Sequence, residues 1–220
     1  MATVLITGAN RGIGLALARR LAGRGDQVIA VCRKTSDELQ ALGVRVESGV
    51  DVTSDQAVAA LAARVGAGTI DLLVLNAGIL RDDHLDDVTL DEVRAQMEVN
   101  AIAPLRVALA LRRALRPGGK IAAITSRMGS IGDNGSGGYY GYRMSKAALN
   151  AMAMSLARDL RGAGIAVGIL HPGFVKTEMT DHAGNVTAEE SARMLIERID
   201  ALTTENTGTF WHANGQVLPW

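Results

Sequence analysis

The chain has 220 residues, 48% hydrophobic and 21% charged, which is enough for one large domain with a buried core. Its 23 lysines and arginines balance 23 aspartates and glutamates, so there is no basic excess of the kind that binds nucleic acid or an anionic membrane surface. The single cysteine, Cys32, excludes an internal disulfide; no apolar run reaches the length of a membrane span, and MATVLITGAN lacks the basic and long apolar segments of a signal peptide, so a soluble cytoplasmic protein is expected.

In chain order, short apolar runs alternate with helical stretches. Residues 3–7 (TVLIT) form a β-branched run that hands over to a glycine turn, and 13–21 read as a helix. Residues 28–32 and 44–47 are predicted strands. Thr53, Ser54 and Asp55 form an N-cap region for a helix over 56–65, and 70–75 (IDLLVL) is a fourth strand. Thr89 and Glu92 have capping-box spacing; they open a long helix running toward Arg116, stopped by Pro117-Gly118-Gly119. A strand over 120–125 precedes a glycine-rich loop, 129–138, which is expected to be mobile and to form one wall of a site. A helix over 142–160, a strand over 165–170, a second capping box at Thr187 and Glu190 opening a helix to about Leu202, and a last strand over 208–212 complete the chain. Continuous apolar strands alternating with helices predict βαβ units. One doubly wound α/β domain spanning 1–220 follows, with a mostly parallel seven-stranded sheet and helices on both faces.

The loop TGANRGIG sits where the first strand meets the first helix. Gly8, Gly12 and Gly14 let the backbone turn tightly, and the helix N-terminus offers free N–H groups to a pyrophosphate. This placement predicts a nucleotide site.

The spacing TGxxxGxG resembles that of the short-chain dehydrogenase/reductase family, and further motifs follow in order. LNAG (75–78) is similar to the NNAG motif, with Leu75 as a departure. Asn100 falls at the family's helix asparagine, and Ser126 follows the fifth strand. Tyr142 and Lys146 form a YxxxK pair, and Pro172-Gly173, Val175 and Thr177 match PGxVxT. The short chain, the insert before Tyr142 and the terminal LPW resemble the C-factor/sniffer-like carbonyl reductases. The resemblance implies a Rossmann-type fold and an oxidoreductase acting on an aldehyde or ketone, or on the alcohol in reverse. It places Gly8, Asn10, Arg11, Gly12, Ile13 and Gly14 at the cofactor, with Arg11 on the adenosine side. Arg33 would lie at the adenosine ribose, and Asp51 and Val52 at the adenine. Asn76, Ala77 and Gly78 would wall the cofactor, with Pro172, Gly173, Val175 and Thr177 on the nicotinamide side.

An acidic residue ending the second strand would hold the ribose of NAD. Here Cys32 is followed by Arg33 and Lys34, and Arg11 stands in the glycine loop. Guanidinium groups suit a 2′-phosphate. NADP(H) is therefore favoured, with NAD(H) left open.

Reduction of a carbonyl needs a proton donor. A free phenol titrates near ~10, and an adjacent lysine cation is expected to lower that value. Tyr142 and Lys146 share one helix face at i, i+4. Tyr139 would pair with Arg143 and Tyr140 with Met144, so the spacing selects Tyr142. Tyr139 and Tyr140 are read as loop residues that pack the insert or line the substrate mouth. Ser126 is preferred over Ser130 as partner of the substrate oxygen because it directly follows a strand. By resemblance, Asn100 holds a water linking Lys146 to solvent, and Lys146 contacts the nicotinamide ribose. The four histidines show no metal-site spacing; they are read as structural or surface residues, with His84 and His182 as candidates for the mouth. Only EMTDHAGNV separates Thr177 from Thr187, which predicts an open site of broad preference. A regulatory or signalling protein of the same fold is the competing reading. A nucleotide-sugar epimerase or dehydratase is disfavoured by the short chain. By resemblance, the helices at 89–116 and 142–160 could form a homodimer or tetramer.

Overall fold

The computed structural model describes residues 1–220. In chain order the elements are β1 (Thr3–Thr7), α1 (Gly12–Gly23), β2 (Gln27–Val31), α2 (Asp37–Gln40), β3 (Arg45–Glu47), α3 (Asp55–Val65) and β4 (Ile70–Leu75). Then come α4 (Leu90–Met97), a π-helical turn (Glu98–Ile102), α5 (Ala103–Leu111), β5 (Leu115–Ile124), α6 (Tyr140–Leu160), β6 (Ala166–His171), β7 (Val175–Lys176), β8 (Val186–Thr187), α7 (Ala188–Asp200) and β9 (Phe210–His212). Seven strands form one sheet in the order β3-β2-β1-β4-β5-β6-β9, and every pairing is parallel.

Alternation along each strand sorts the core into two layers. Leu5, Leu73, Leu75, Ile121 and Ala123 face one side, where Val58 and Leu61 of α3, Val107 and Leu111 of α5, and Leu149 and Ala153 of α6 cover them. Val4, Ile6, Leu72, Val74 and Ile124 face the other side, against Leu17 and Leu21 of α1, Leu39 of α2, and Leu195 and Ile199 of α7. Both faces are covered, as an all-parallel sheet requires. Leu75, the departure from the NNAG motif, is a core residue with 2% exposure.

The long helix expected to reach Arg116 ends instead at Leu111 and is interrupted by the π turn. Strand pairing captures the residues beyond it. The Ala114 carbonyl accepts from the Thr69 and Ile70 N–H groups at 2.8 and 2.9 Å, and Arg116 Nη1 donates to both Asp71 oxygens at 2.9 and 2.8 Å. Pro117-Gly118-Gly119 lies within β5, where the register shifts between Leu115 and Lys120. The capping box at Thr187 is reciprocal: Thr187 Oγ1 accepts from Glu190 N at 3.2 Å, and Glu190 Oε2 accepts from Thr187 N at 2.9 Å. At Thr89 only half a box forms. Its hydroxyl accepts from Glu92 N, but the Glu92 carboxylate turns to Arg81 at 3.3 Å.

Candidate active site

The strand order reverses between β1 and β4, and the cleft opens there, at the carboxyl ends of the strands, as in other open α/β sheets. Thr7 and Asn76 tie the two strand ends together. Thr7 Oγ1 accepts from the Asn76 and Ala77 N–H groups at 3.0 and 3.1 Å, and Asn76 Nδ2 donates to the Thr7 and Gly8 carbonyls at 2.9 and 3.1 Å. Gly8 and Gly12 adopt left-handed backbone, with φ 67° and 54°.

Side chains of Ser36, Ser54, Thr89 and Thr187 cap α2, α3, α4 and α7. Helix α1 has no side-chain cap and no acid in its first turn. Its free N–H groups and partial positive charge therefore fit an anionic phosphate. Arg33 and Lys34 are exposed at the end of β2. Arg11 is exposed too, and it pairs across the cleft with Glu178, a partner the sequence did not announce. The Asp51 carboxylate lies below its usual range, chiefly because the Thr53 N–H donates to it at 2.9 Å.

Ser126 lies two residues beyond β5 and caps a short turn, accepting from Met128 N at 3.1 Å. That turn packs against α6 without clearance: a Cβ on Gly129 would lie 2.7 Å from the Lys146 carbonyl carbon. Helix α6 begins at Tyr140, so Tyr140 is helical rather than a loop residue, and Tyr139 is its N-cap with φ 54°. The helix start is held by Asp83, which is 3% exposed. Its carboxylate accepts from the N–H groups of Tyr140 and Gly141, and from Gln96 Nε2 at 3.4 Å.

Tyr142 and Lys146 are both buried. Lys146 Nζ donates to the Ile124 carbonyl at 3.0 Å and stands 5.7 Å from the Tyr142 ring centroid. Burial pushes the Tyr142 phenol up to about 12, with the Ser126 side chain opposing, and pushes the Lys146 ammonium down to about 8. The sequence spacing predicted a phenol lowered by the lysine; in the protein alone, loss of solvent raises it instead, opposed only by Ser126.

Asn100 lies behind the cleft and is fully buried. Its Oδ1 accepts from Ile79 N at 2.8 Å, and its Nδ2 donates to the Ile79 carbonyl at 2.8 Å and to Ser145 Oγ at 3.0 Å. Ser145 Oγ in turn donates to the Tyr142 carbonyl at 2.8 Å. Both amide hydrogens are thus engaged within the protein, and only a second lone pair on Oδ1 is free. A Cβ on Gly78 would sit 3.1 Å from Asn100 Oδ1 and 3.7 Å from Lys146 Nζ, so glycine keeps a gap between them.

Apart from Asn100, every residue expected to hold the cofactor or take part in the reaction lines one cleft of about 1350 Å³. Ser126 lies in that lining and Ser130 does not; Ser130 Oγ accepts from Asp133 N at 3.1 Å. Tyr139 and Tyr140 are absent from the lining. Tyr139 packs edge-on against His84 with centroids 5.9 Å apart, which also places His84 away from the mouth, whereas His182 borders it. The glycine-rich insert expected to be mobile is tied down by Arg127 to Asp133, by Arg143 to Ser136, and by Gly132 N to the Trp220 carbonyl at 2.7 Å. Asp83, Gln96 and Thr7 were not identified from sequence as site residues. Asp83 and Gln96 act on partners remote in the chain, and only Thr7, directly before the glycine loop, had a local signal.

The profile described as short chain dehydrogenase matches residues 2–188. The chain belongs to the short-chain dehydrogenase family. Among its relatives within that family, 1-hydroxy-2-glutathionyl-2-methyl-3-butene dehydrogenase of Rhodococcus sp. (strain AD45) is 43% identical over 226 residues, covering 100% of both chains. C-signal of Myxococcus xanthus is 40% identical over 164 residues, 73% of this chain and 99% of that protein. The crystal structure of an NADPH-bound carbonyl reductase from chicken fatty liver superposes with a TM-score of 0.90 at 33% identity, over 100% of this chain and 99% of that one. As a short-chain dehydrogenase/reductase, the protein is an oxidoreductase acting on CH–OH or carbonyl groups with a nicotinamide cofactor. No helix is long and apolar enough to cross a membrane.

Proposed function

We propose that this short-chain dehydrogenase interconverts an aldehyde or ketone and its alcohol with NADP(H), using Tyr142 as general acid and base. The observation that carries the reading is the convergence of Ser126, Tyr142 and Lys146 on one cleft below an uncapped helix N-terminus. The cofactor, when bound, supplies or takes up the hydride. The glycine loop and the start of α1 would hold its pyrophosphate, and Pro172 to Thr177 would face its nicotinamide. Arg33 and Lys34, with no acid beside them at the end of β2, would hold a 2′-phosphate. Arg11 would join them by exchanging Glu178 for that phosphate.

Ser126 Oγ would donate to the substrate oxygen while Tyr142 transfers its phenolic proton to it. A neutral, buried phenol is in the right protonation state to donate, and Lys146, whose ammonium burial pushes down to about 8, is poised to restore that proton at neutral pH. A water in the gap by Gly78, held by the free lone pair of Asn100, would connect Lys146 onward. The Rhodococcus relative is named for an alcohol carrying a glutathionyl group. A bulky polar substituent fits the short 177–187 segment beside the mouth.

Side-by-side titration with NADPH and NADH, followed by NADPH consumption over a panel of carbonyls, tests the reading. Tighter binding of NADH would remove the cofactor assignment. NADPH binding with no turnover on any carbonyl would favour the regulatory reading that the likeness to C-signal raises. Exposed Ile102, Leu105 and Leu109 on the α5 side and Met144 on α6 support self-association through these helices. A monomer in sedimentation equilibrium would exclude it.

A further inference from the structure

Each residue proposed to touch the substrate oxygen is followed in the chain by an arginine: Ser126 by Arg127, and Tyr142 by Arg143. Both arginines line the cleft, but their surroundings differ. Arg127 is exposed and paired with Asp133. Arg143 is half-buried and has only neutral partners. Its Nε donates to the Gly138 carbonyl at 3.1 Å, and its Nη2 donates to Ser136 Oγ at 2.8 Å and to the Gly137 carbonyl at 3.3 Å. These bonds fix the guanidinium plane and use three of its five N–H donors, leaving both Nη1 hydrogens free.

The carboxylates in the lining do not answer this charge. Asp51 is held by Thr53, Asp133 by Arg127 and Glu178 by Arg11. A cation held rigidly, without a counter-charge, in the lining of the cleft that also holds Tyr142 loses little entropy on meeting an anion.

We propose that Arg143 is a specificity-determining residue that recognises a carboxylate carried by the substrate away from its reacting oxygen. The inference rests on the proposed reaction only for placing that oxygen beside Tyr142. A charge-assisted hydrogen bond of this kind favours the anionic substrate over a neutral isostere by about 10- to 100-fold.

The test compares wild type, Arg143→Gln and Arg143→Lys in the full chain with NADPH bound. Isothermal titration measures binding of 4-(hydroxymethyl)benzoate and its methyl ester, and turnover is measured on the corresponding aldehydes. Wild type is expected to bind the acid at least ~10-fold more tightly than the ester. The ratio should fall toward one in Arg143→Gln and persist in Arg143→Lys, which keeps the charge but not the three-point tie to the insert. A wild-type ratio near one, or an equal ratio in wild type and Arg143→Gln, overturns the proposal. Preferential binding of the acid without turnover of either aldehyde would count against the reaction and leave the anion site standing. Turnover of both aldehydes without preference would do the reverse.

Discussion

The Lys146 ammonium lies over the Tyr142 ring, 5.7 Å from its centroid, and donates to the Ile124 carbonyl at 3.0 Å. It is therefore anchored to the end of β5, the strand that also delivers Ser126. Tyr142, Lys146 and Ser126 share one rigid mount, made of β5, its following turn and α6. Placement to within about an ångström is what such chemistry demands.

Removing the phenolic oxygen should separate chemistry from binding. Tyr142→Phe is expected to keep its NADPH affinity within a few-fold, read by cofactor fluorescence, and to lose about 10²–10⁴ in kcat. Retained turnover would mean that another group supplies the proton.

Gly129 is where the Ser126 turn meets α6. Gly129→Ala forces a Cβ to within 2.7 Å of backbone at Lys146, and backbone cannot give way as a side-chain tip can. The expected result is about 1–3 kcal/mol of lost stability in urea denaturation, with a fall in kcat larger than any change in NADPH affinity. An unchanged kcat would show that Ser126 need not hold its place.

Asp83 satisfies the first N–H groups of α6. Asp83→Ala leaves buried donors unpaired and is expected to cost about 2 kcal/mol. For a chain of this size that lowers Tm by roughly 4–8 °C. Asp83→Asn, which keeps an acceptor, should recover part of the loss. Equal Tm values for wild type and Asp83→Ala in differential scanning calorimetry would contradict the cap.

His171 gives the protein an acid limit. Burial first, then the charges of His212, Arg127 and Lys146, push its pKa down to about 3, and its Nδ1 has no partner. The unfolded chain protonates this ring near ~6.5 while the folded protein does not. Stability from this group is therefore complete above ~6.5 and is lost as pH falls toward 3. Between pH 7 and pH 5 the loss is about 2 kcal/mol, and His171→Gln should remove that slope from urea midpoints. Parallel pH profiles for the two proteins would assign the acid limit elsewhere.

Buried parallel strands, glycine turns and capping residues all have local sequence patterns, which is why β4 could be read residue for residue and why the cleft-lining motifs assemble where expected. The contacts that the sequence did not reveal are remote in the chain. Asp83 caps a helix that starts 57 residues later. The end of α5 is set by Ala114 pairing with Thr69 and Ile70, not by the Pro-Gly-Gly that looked like a stop. The Tyr142 phenol went the opposite way from its lysine spacing because the spacing reports a neighbour and says nothing of lost solvent. Likewise, nothing near Arg11 in sequence announced Glu178.

All six pairings of the main sheet are parallel, so no strand of it is joined to its neighbour by a hairpin. Each addition waits for an entire crossover to be synthesised and docked. The walls of the cleft run from the loop after β1 to the segment after β6, and during translation the last wall emerges only when most of the chain is already outside the ribosome. Dinucleotide can therefore reward only a nearly completed sheet, and a stalled or shortened chain would present the glycine loop without the wall that follows β6.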